Sequence, residues 1–170
     1  LDAWGRILTI CGPKEIGVHP YTIRYQYNKA VYDTATKSIV QPASAFTFNY
    51  DPEHPGNDIE IYTYCDGLGR IVQTKKDADV NGTEKKVVSG RVMYDALGRA
   101  IANYYPTVQA LGDTTYYTGV DAVAPSTTQY DILDRPLQQT APDQTFQTFA
   151  YAFGQDLAGH TLFKTTAVDQ

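Results

Sequence analysis

One short motif recurs along the chain and dictates what it can fold into. Tyr94-Asp95-Ala96-Leu97-Gly98-Arg99 returns as Tyr130-Asp131-Ile132-Leu133-Asp134-Arg135. Tyr64-Cys65-Asp66-Gly67-Leu68-Gly69-Arg70 repeats it with one added residue, and the chain opens inside a copy, Asp2-Ala3-Trp4-Gly5-Arg6. In all four, Arg follows Asp by four residues, and the residue two after Asp is large and apolar: Trp4, Leu68, Leu97 and Leu133. Self-similarity of this kind marks a repeat architecture.

Turn chemistry explains the residue choice. Asp at the head of a turn accepts hydrogen bonds from backbone N–H groups two residues on. Gly three residues later suits a left-handed position that closes a bulged hairpin loop. Asp134, which replaces that Gly in one copy, is among the few side chains that tolerate the same conformation. The Arg then opens the return strand, where its planar fork can reach the Asp carboxylate or stack on a Tyr. Asp2/Arg6, Asp66/Arg70, Asp95/Arg99 and Asp131/Arg135 are therefore expected to be polar clasps, with Gly5, Gly69 and Gly98 supplying turn geometry.

The Asp positions 2, 66, 95 and 131 are separated by 64, 29 and 36 residues, so the first gap predicts a worn copy near its middle. Tyr32-Asp33-Thr34-Ala35-Thr36-Lys37 fits, with Lys37 in place of Arg and Thr36 in place of Gly. Tyr50-Asp51-Pro52-Glu53 competes for the role but has no basic residue at the right distance.

These motifs resemble the YD repeats of Rhs-family proteins and of the B/C components of bacterial Tc-type toxin complexes. The resemblance runs from residue 2 to residue 135. It implies an all-β fold of consecutive antiparallel hairpins forming a curved, extended sheet, part of a hollow shell that holds a toxic C-terminal domain. It also implies a secreted or cell-surface bacterial protein, with the rest of a parent chain and an enclosed effector as partners. Asp33 lacks the Gly and Arg of the motif, and no plug, autoproteolytic or toxin segment of that family is identified here. On this reading residues 1–170 are one repeat region cut from a longer protein, with turns near 2–6, 32–37, 64–70, 94–99 and 130–135.

Composition agrees. Fourteen Tyr and six Phe, with many Thr and Val, favour pleated, half-buried strands. Tyr21, Ile23, Tyr25 and Tyr27 alternate with polar residues, as do Phe46, Phe48 and Tyr50, and then Phe149, Tyr151 and Phe153. Further strands are expected at 7–10, 59–64, 71–75, 87–93, 100–105, 114–118 and 162–168, with loops at 77–84 and 154–160 and a tighter turn at 141–143. No helical period of three to four turns is present. A net charge of −5 argues against a nucleic-acid surface, and no run of 18 apolar residues exists to span a membrane. Sheet edges left open by such hairpins favour an edge-strand dimer.

Little in the chain points to chemistry. Asp77-Ala78-Asp79-Val80-Asn81-Gly82 matches the first half of a calcium loop, but Val88 stands where an EF-hand needs its last carboxylate. Asp77, Asp79 and Asn81 remain a weak calcium candidate beside the plainer reading of an Asn-Gly hairpin. His19, His54 and His160 lie at no zinc-like spacing. Cys11 and Cys65 form no framework; a bridge is open, and two separate thiols fit the burial habit of free Cys better. No nucleophile-elbow, metalloprotease or phosphate-loop motif occurs. A clasp repeated at every turn reads as structure, so neither an enzyme nor a cofactor is expected. The competing reading is a carbohydrate- or surface-binding module that stacks glycans on the consecutive aromatics Tyr104-Tyr105 and Tyr116-Tyr117.

Overall fold

The computed structural model describes residues 1–119 and 121–170. All regular structure there is antiparallel β, with no helix. The strands are β1 (Thr9–Ile10), β2 (Ile23–Asn28), β3 (Val31–Asp33), β4 (Ser38–Gln41), β5 (Ala43–Asn49), β6 (Ile59–Cys65), β7 (Ile71–Asp79) and β8 (Glu84–Ser89). They continue as β9 (Val92–Tyr94), β10 (Ala100–Asn103), β11 (Thr107–Gln109), β12 (Ser126–Tyr130), β13 (Pro136–Thr140), β14 (Phe146–Gln155) and β15 (Thr161–Asp169).

The chain divides into two compact units. The first takes residues 1–91 and 106–119 and holds a seven-stranded sheet in the order β1-β2-β5-β6-β7-β8-β11, with β3 and β4 as a separate ribbon. The second takes residues 92–105 and 121–170 and holds a six-stranded sheet in the order β15-β14-β13-β12-β10-β9.

The core of the first unit is one face of its sheet. Along β5 burial alternates strictly, so Ser44, Phe46 and Phe48 point one way and their neighbours the other, the period-two consequence of the pleat. Register carries that face across: Phe46 lies opposite Tyr62, Tyr62 opposite Lys75, and Lys75 opposite Val88. Phe46 and Tyr62 rings approach to 4.1 Å between centroids, and Tyr64 meets Phe46 edge-on at 6.2 Å. Aromatics at this spacing add packing to the area they bury.

The turns at Asp66, Asp95 and Asp131 are each followed by an irregularity in register. Cys65 pairs with Ile71 but Tyr64 pairs with Gln73, so Val72 is an extra residue. Ile101 and Leu137 are extra in the same sense after the Asp95 and Asp131 turns. A bulge turns neighbouring side chains to one side, and consecutive Val72 and Gln73 are accordingly both buried.

The structure corrects several expected boundaries. The loop at 77–84 is mostly strand: β7 runs to Asp79, and a two-residue turn leads into β8 at Glu84. Asn81 and Gly82 both have positive φ, 56° and 74°, which two-residue hairpins of this hand require. The strand expected at 87–93 is two, split at Gly90 (φ 63°), and they belong to different units. Residues 114–118 form no strand; β11 lies earlier, and β12 is an additional strand.

Candidate functional site

The four turns are superimposable in their bonding. The Asp N–H donates to the Arg carbonyl at 2.9, 2.9, 3.0 and 2.9 Å for Asp2, Asp66, Asp95 and Asp131. One carboxylate oxygen, Oδ1, accepts from the backbone N–H of Trp4, Leu68, Leu97 or Leu133 at 2.8–2.9 Å. It also accepts from the Arg backbone N–H at 2.9–3.0 Å. The other, Oδ2, accepts from Arg Nε at 2.6–2.7 Å. The third residue after Asp takes the left-handed conformation in every copy: Gly5 (77°), Gly69 (76°), Gly98 (82°) and Asp134 (62°). The apolar residue two after Asp stays exposed in each turn, from 65% for Leu133 to 77% for Leu68, and the Trp4 ring carries the Arg6 guanidinium at 5.0 Å and Lys29 Nζ at 5.3 Å from its centroid.

These carboxylates are held ionised. The Arg99 backbone N–H, opposed by partial burial and joined by the guanidinium and the Leu97 N–H, keeps Asp95 below the usual Asp range. Asp131 is lowered by the corresponding groups of Arg135 and Leu133. A depressed folded-state pKa contributes stability above the unfolded value and loses it as pH falls through the folded one. Melting temperature should therefore hold steady at neutral pH and fall below about pH 4. Asp95→Asn together with Asp131→Asn should flatten that fall; a slope unchanged from the parent would show that other acids govern it.

The turn family is larger than its sequence motif. At Asp156 the same bonds close on His160: the Asp156 N–H donates to the His160 carbonyl at 3.0 Å, and Oδ1 accepts from the Ala158 and His160 N–H groups. His160 Nδ1 lies 3.0 Å from Oδ2, and Gly159 has φ 83°. At 141–145 the backbone turn forms with Ala141 in the Asp place, so no clasp exists; its left-handed residue is Gln144 (71°). The worn copy does turn at Asp33, whose carboxylate accepts from the Ala35 N–H and the Thr36 hydroxyl. Its left-handed residue is Lys37 (53°), one place later than the motif's Gly, so the loop is longer and Lys37 does not stand in for Arg.

A second, longer-range element joins a turn to the next strand. The Arg6 guanidinium lies 4.2 Å from the Tyr27 ring centroid, Arg99 lies 5.1 Å from Tyr130, and Arg135 lies 4.3 Å from Tyr151. Each of these Tyr hydroxyls donates to the carbonyl just after that Arg: Tyr27 to Ile7 at 3.0 Å, Tyr130 to Ala100 at 3.1 Å, Tyr151 to Pro136 at 2.9 Å. Register accounts for the recurrence. Thr9↔Arg24, Ala102↔Thr127 and Gln138↔Thr148, extended along their strands, set Arg6 against Tyr27, Arg99 against Tyr130 and Arg135 against Tyr151. Arg99 adds hydrogen bonds from Nη1 to the Asp131 carbonyl (2.7 Å) and Asp134 Oδ1 (3.0 Å), linking one turn to the next. Tyr130 is thus the Tyr of one repeat closing on the turn of the previous one. Tyr27 and Tyr151 do the same from strands whose alternation alone gave no sign of it.

The two buried lysines of the first unit are also spent on structure. Lys86 is fully buried; its Nζ lies 2.6 Å from Glu60, bonds Asp77, and sits 4.4 Å over the Tyr62 ring. Fully buried Lys75 reaches the Asp113 carbonyl (3.2 Å) and carboxylate (3.4 Å), and the Tyr64 hydroxyl donates to the Thr114 carbonyl (2.6 Å). Burial pushes the Tyr62 and Tyr64 phenols well above their usual range, Tyr62 with help from Glu60. Segment 110–116 is thereby fastened over the sheet face. Of the calcium candidates, Asp77 is turned to Lys86 and Asp79 accepts from the Gly82 N–H. No three His, Cys, Asp or Glu converge on a metal-sized point among the described residues. Cys11 is exposed and Cys65 half-buried, both as free thiols.

The two Tyr pairs lie in separate units and not on strands. Tyr116 packs edge-on against Tyr64 at 5.5 Å, Arg91 lies 4.7 Å from the Tyr117 ring, and Tyr105 is 44% exposed. Strand alternation therefore does not set the direction of either pair.

A family model described as "Domain of unknown function (DUF6443)" matches residues 38–156. No curated protein matches the chain. Among solved structures, the crystal structure of TcdB2-TccC3 resembles 90% of this chain with a TM-score of 0.58 at 15% identity. The structure of TcdB2-TccC3 without its hypervariable C-terminal region resembles 64%, with a TM-score of 0.53 at 20% identity. This chain spans only 9% and 6% of those two chains. The likeness is one of fold, and it agrees with the turn motif's resemblance to YD repeats of Tc-type components.

Proposed function

Given that the chain belongs to the DUF6443 family and folds like part of TcdB2-TccC3, we propose that it is a non-catalytic wall segment. It would contribute a stretch of hairpin-built β-sheet to a larger, secreted, toxin-related protein of the Rhs type, one that encloses an effector. The observation that carries this is the turn-to-strand joint. Three Arg residues, each clasped by its own Asp, also close on a Tyr of the following strand in one common geometry. A catalytic constellation is singular and leaves an acid, base or nucleophile free to react. Here the carboxylates are saturated by turn N–H groups and by Arg, repeatedly, which suits a device for adding hairpins to a sheet.

Electron microscopy of the intact parent protein tests the reading. This segment should form part of a closed β wall around internal density. A segment standing clear of any wall would overturn it. The glycan reading gains nothing from Tyr116 and Tyr117, whose rings are engaged within the first unit.

A further inference from the structure

Only at Asn81-Gly82 does the chain join an Asn to a Gly; Asn28, Asn49, Asn57 and Asn103 precede Lys29, Tyr50, Asp58 and Tyr104. The pair forms the tip of the β7–β8 hairpin, exposed and left-handed at both residues. No side chain hinders the Gly82 nitrogen, and a Cβ placed on Gly82 would meet no atom within 4 Å. The Asn81 side-chain amide makes no hydrogen bond among the described residues. Its carbonyl carbon is an electrophile next along the chain to an unhindered backbone nitrogen. What restrains that nitrogen is Asp79, whose Oδ1 accepts the Gly82 N–H at 2.7 Å. Val80 and Thr83 close the turn with paired backbone bonds of 2.8 and 3.3 Å. Bringing the nitrogen onto Asn81 Cγ turns the 81–82 peptide plane and breaks the Asp79 bond.

We propose that Asn81 is a site of spontaneous deamidation and that Asp79 holds the reaction back while the hairpin is closed. The Gly82 nitrogen attacks Asn81 Cγ and closes a cyclic imide. The side-chain nitrogen leaves as ammonia, taking up the proton that the Gly82 nitrogen gives up. One water then opens the imide: cleavage at the main-chain carbonyl leaves an isoaspartyl linkage running through Cγ, and cleavage at Cγ leaves Asp. Water is the only co-reactant. In the closed turn a carboxylate accepts the hydrogen bond of the N–H whose proton must leave, and its charge opposes negative charge building on that nitrogen. The isoaspartyl product lengthens a two-residue loop by one backbone atom. The Asp79↔Glu84 pair flanks that loop, and two pairs further along the ladder Asp77 meets buried Lys86. Modification at the tip is thereby felt at the buried ammonium. The proposal is independent of the wall reading.

The test holds the whole 170-residue chain in mildly alkaline buffer, with and without denaturing urea, and follows the peptide spanning residues 81–82 by mass spectrometry that separates isoaspartate from Asp. The unfolded chain should convert, mostly to isoaspartate, about tenfold or more faster than the folded one, because reaction waits on local opening. Folded Asp79→Ala should convert about tenfold faster than the folded parent, the worth of one hydrogen bond to a charged acceptor. Asp79→Asn, which keeps an acceptor without the charge, should fall between them. Amide hydrogen exchange separates a released nitrogen from a melted turn. In Asp79→Ala the Gly82 amide should exchange faster by the same factor as conversion, while the Val80 and Thr83 amides keep their rates. No conversion in the unfolded chain, equal folded and unfolded rates, or an Asp79→Ala rate equal to the parent's would each overturn the proposal. So would Val80 exchange quickened as much as that of Gly82, since opening of the turn, and not release of one N–H, would then set the rate.

Discussion

Lys86→Met is expected to destabilise the first unit by about 3 kcal/mol. Methionine retains most of the buried stem, so the loss isolates the ammonium. Its Nζ bridges Glu60 and Asp77, and Glu60 also accepts from the Tyr62 hydroxyl. Without the cation two carboxylates face one another across adjacent strands beneath an aromatic face. Breaking a buried pair by removing one partner leaves charge uncompensated, which costs more than the pair itself contributes. The acid side chains retain 29% and 17% exposure, which holds the loss below the top of the usual range. Urea unfolding by circular dichroism measures it. Adding Glu60→Gln and Asp77→Asn to Lys86→Met should recover more than half; a triple variant as unstable as the single one would show that packing of the stem, not charge, is at stake.

Tyr64→Ala is expected to cost about 4 kcal/mol, in the range for truncating a buried aromatic. The residue is fully buried, its ring lies between Phe46 and Tyr116, and its hydroxyl holds the Thr114 carbonyl. Truncation opens a cavity and releases the segment carrying Asp113, the partner of buried Lys75. Tyr64→Phe keeps the ring and should cost only about 1 kcal/mol, the net value of one hydrogen bond. Hydrogen exchange should quicken over 110–116 in both variants. Protection there unchanged in Tyr64→Ala would mean that the segment is anchored elsewhere.

What the sequence made legible was local chemistry. Asp, Gly and Arg within five residues define a turn whose bonds are all internal, so the pattern can be read without knowing the fold. The Asp156 turn escaped because His160 replaces Arg and Gln155 replaces Tyr, although the Asp and Gly spacing was present. The turn at 141–145 was visible as a turn but not as a relative, since Ala141 has no carboxylate. Polar β12 has no apolar alternation; it exists because β10 and β13 pair with its two edges. The joints made by Tyr27 and Tyr151 depend on which residue lies opposite an Arg some 16 to 21 positions away, and such register is decided by strand pairing. Nothing in the sequence marks Lys75 and Lys86 as buried; only the closing of segment 110–116 and the carboxylates of β6 and β7 make their burial tolerable.

The most direct test of the joint is a double-mutant cycle on Arg135 and Tyr151, using Arg135→Met and Tyr151→Leu and urea unfolding of all four proteins. The guanidinium lies 4.3 Å from the ring centroid, and the hydroxyl bonds the carbonyl next to the Arg. A coupling of about 1 kcal/mol is expected, from the cation over the ring and the turn geometry that both partners fix. Costs that simply add, within about 0.3 kcal/mol, would mean that the two residues are neighbours without being a joint.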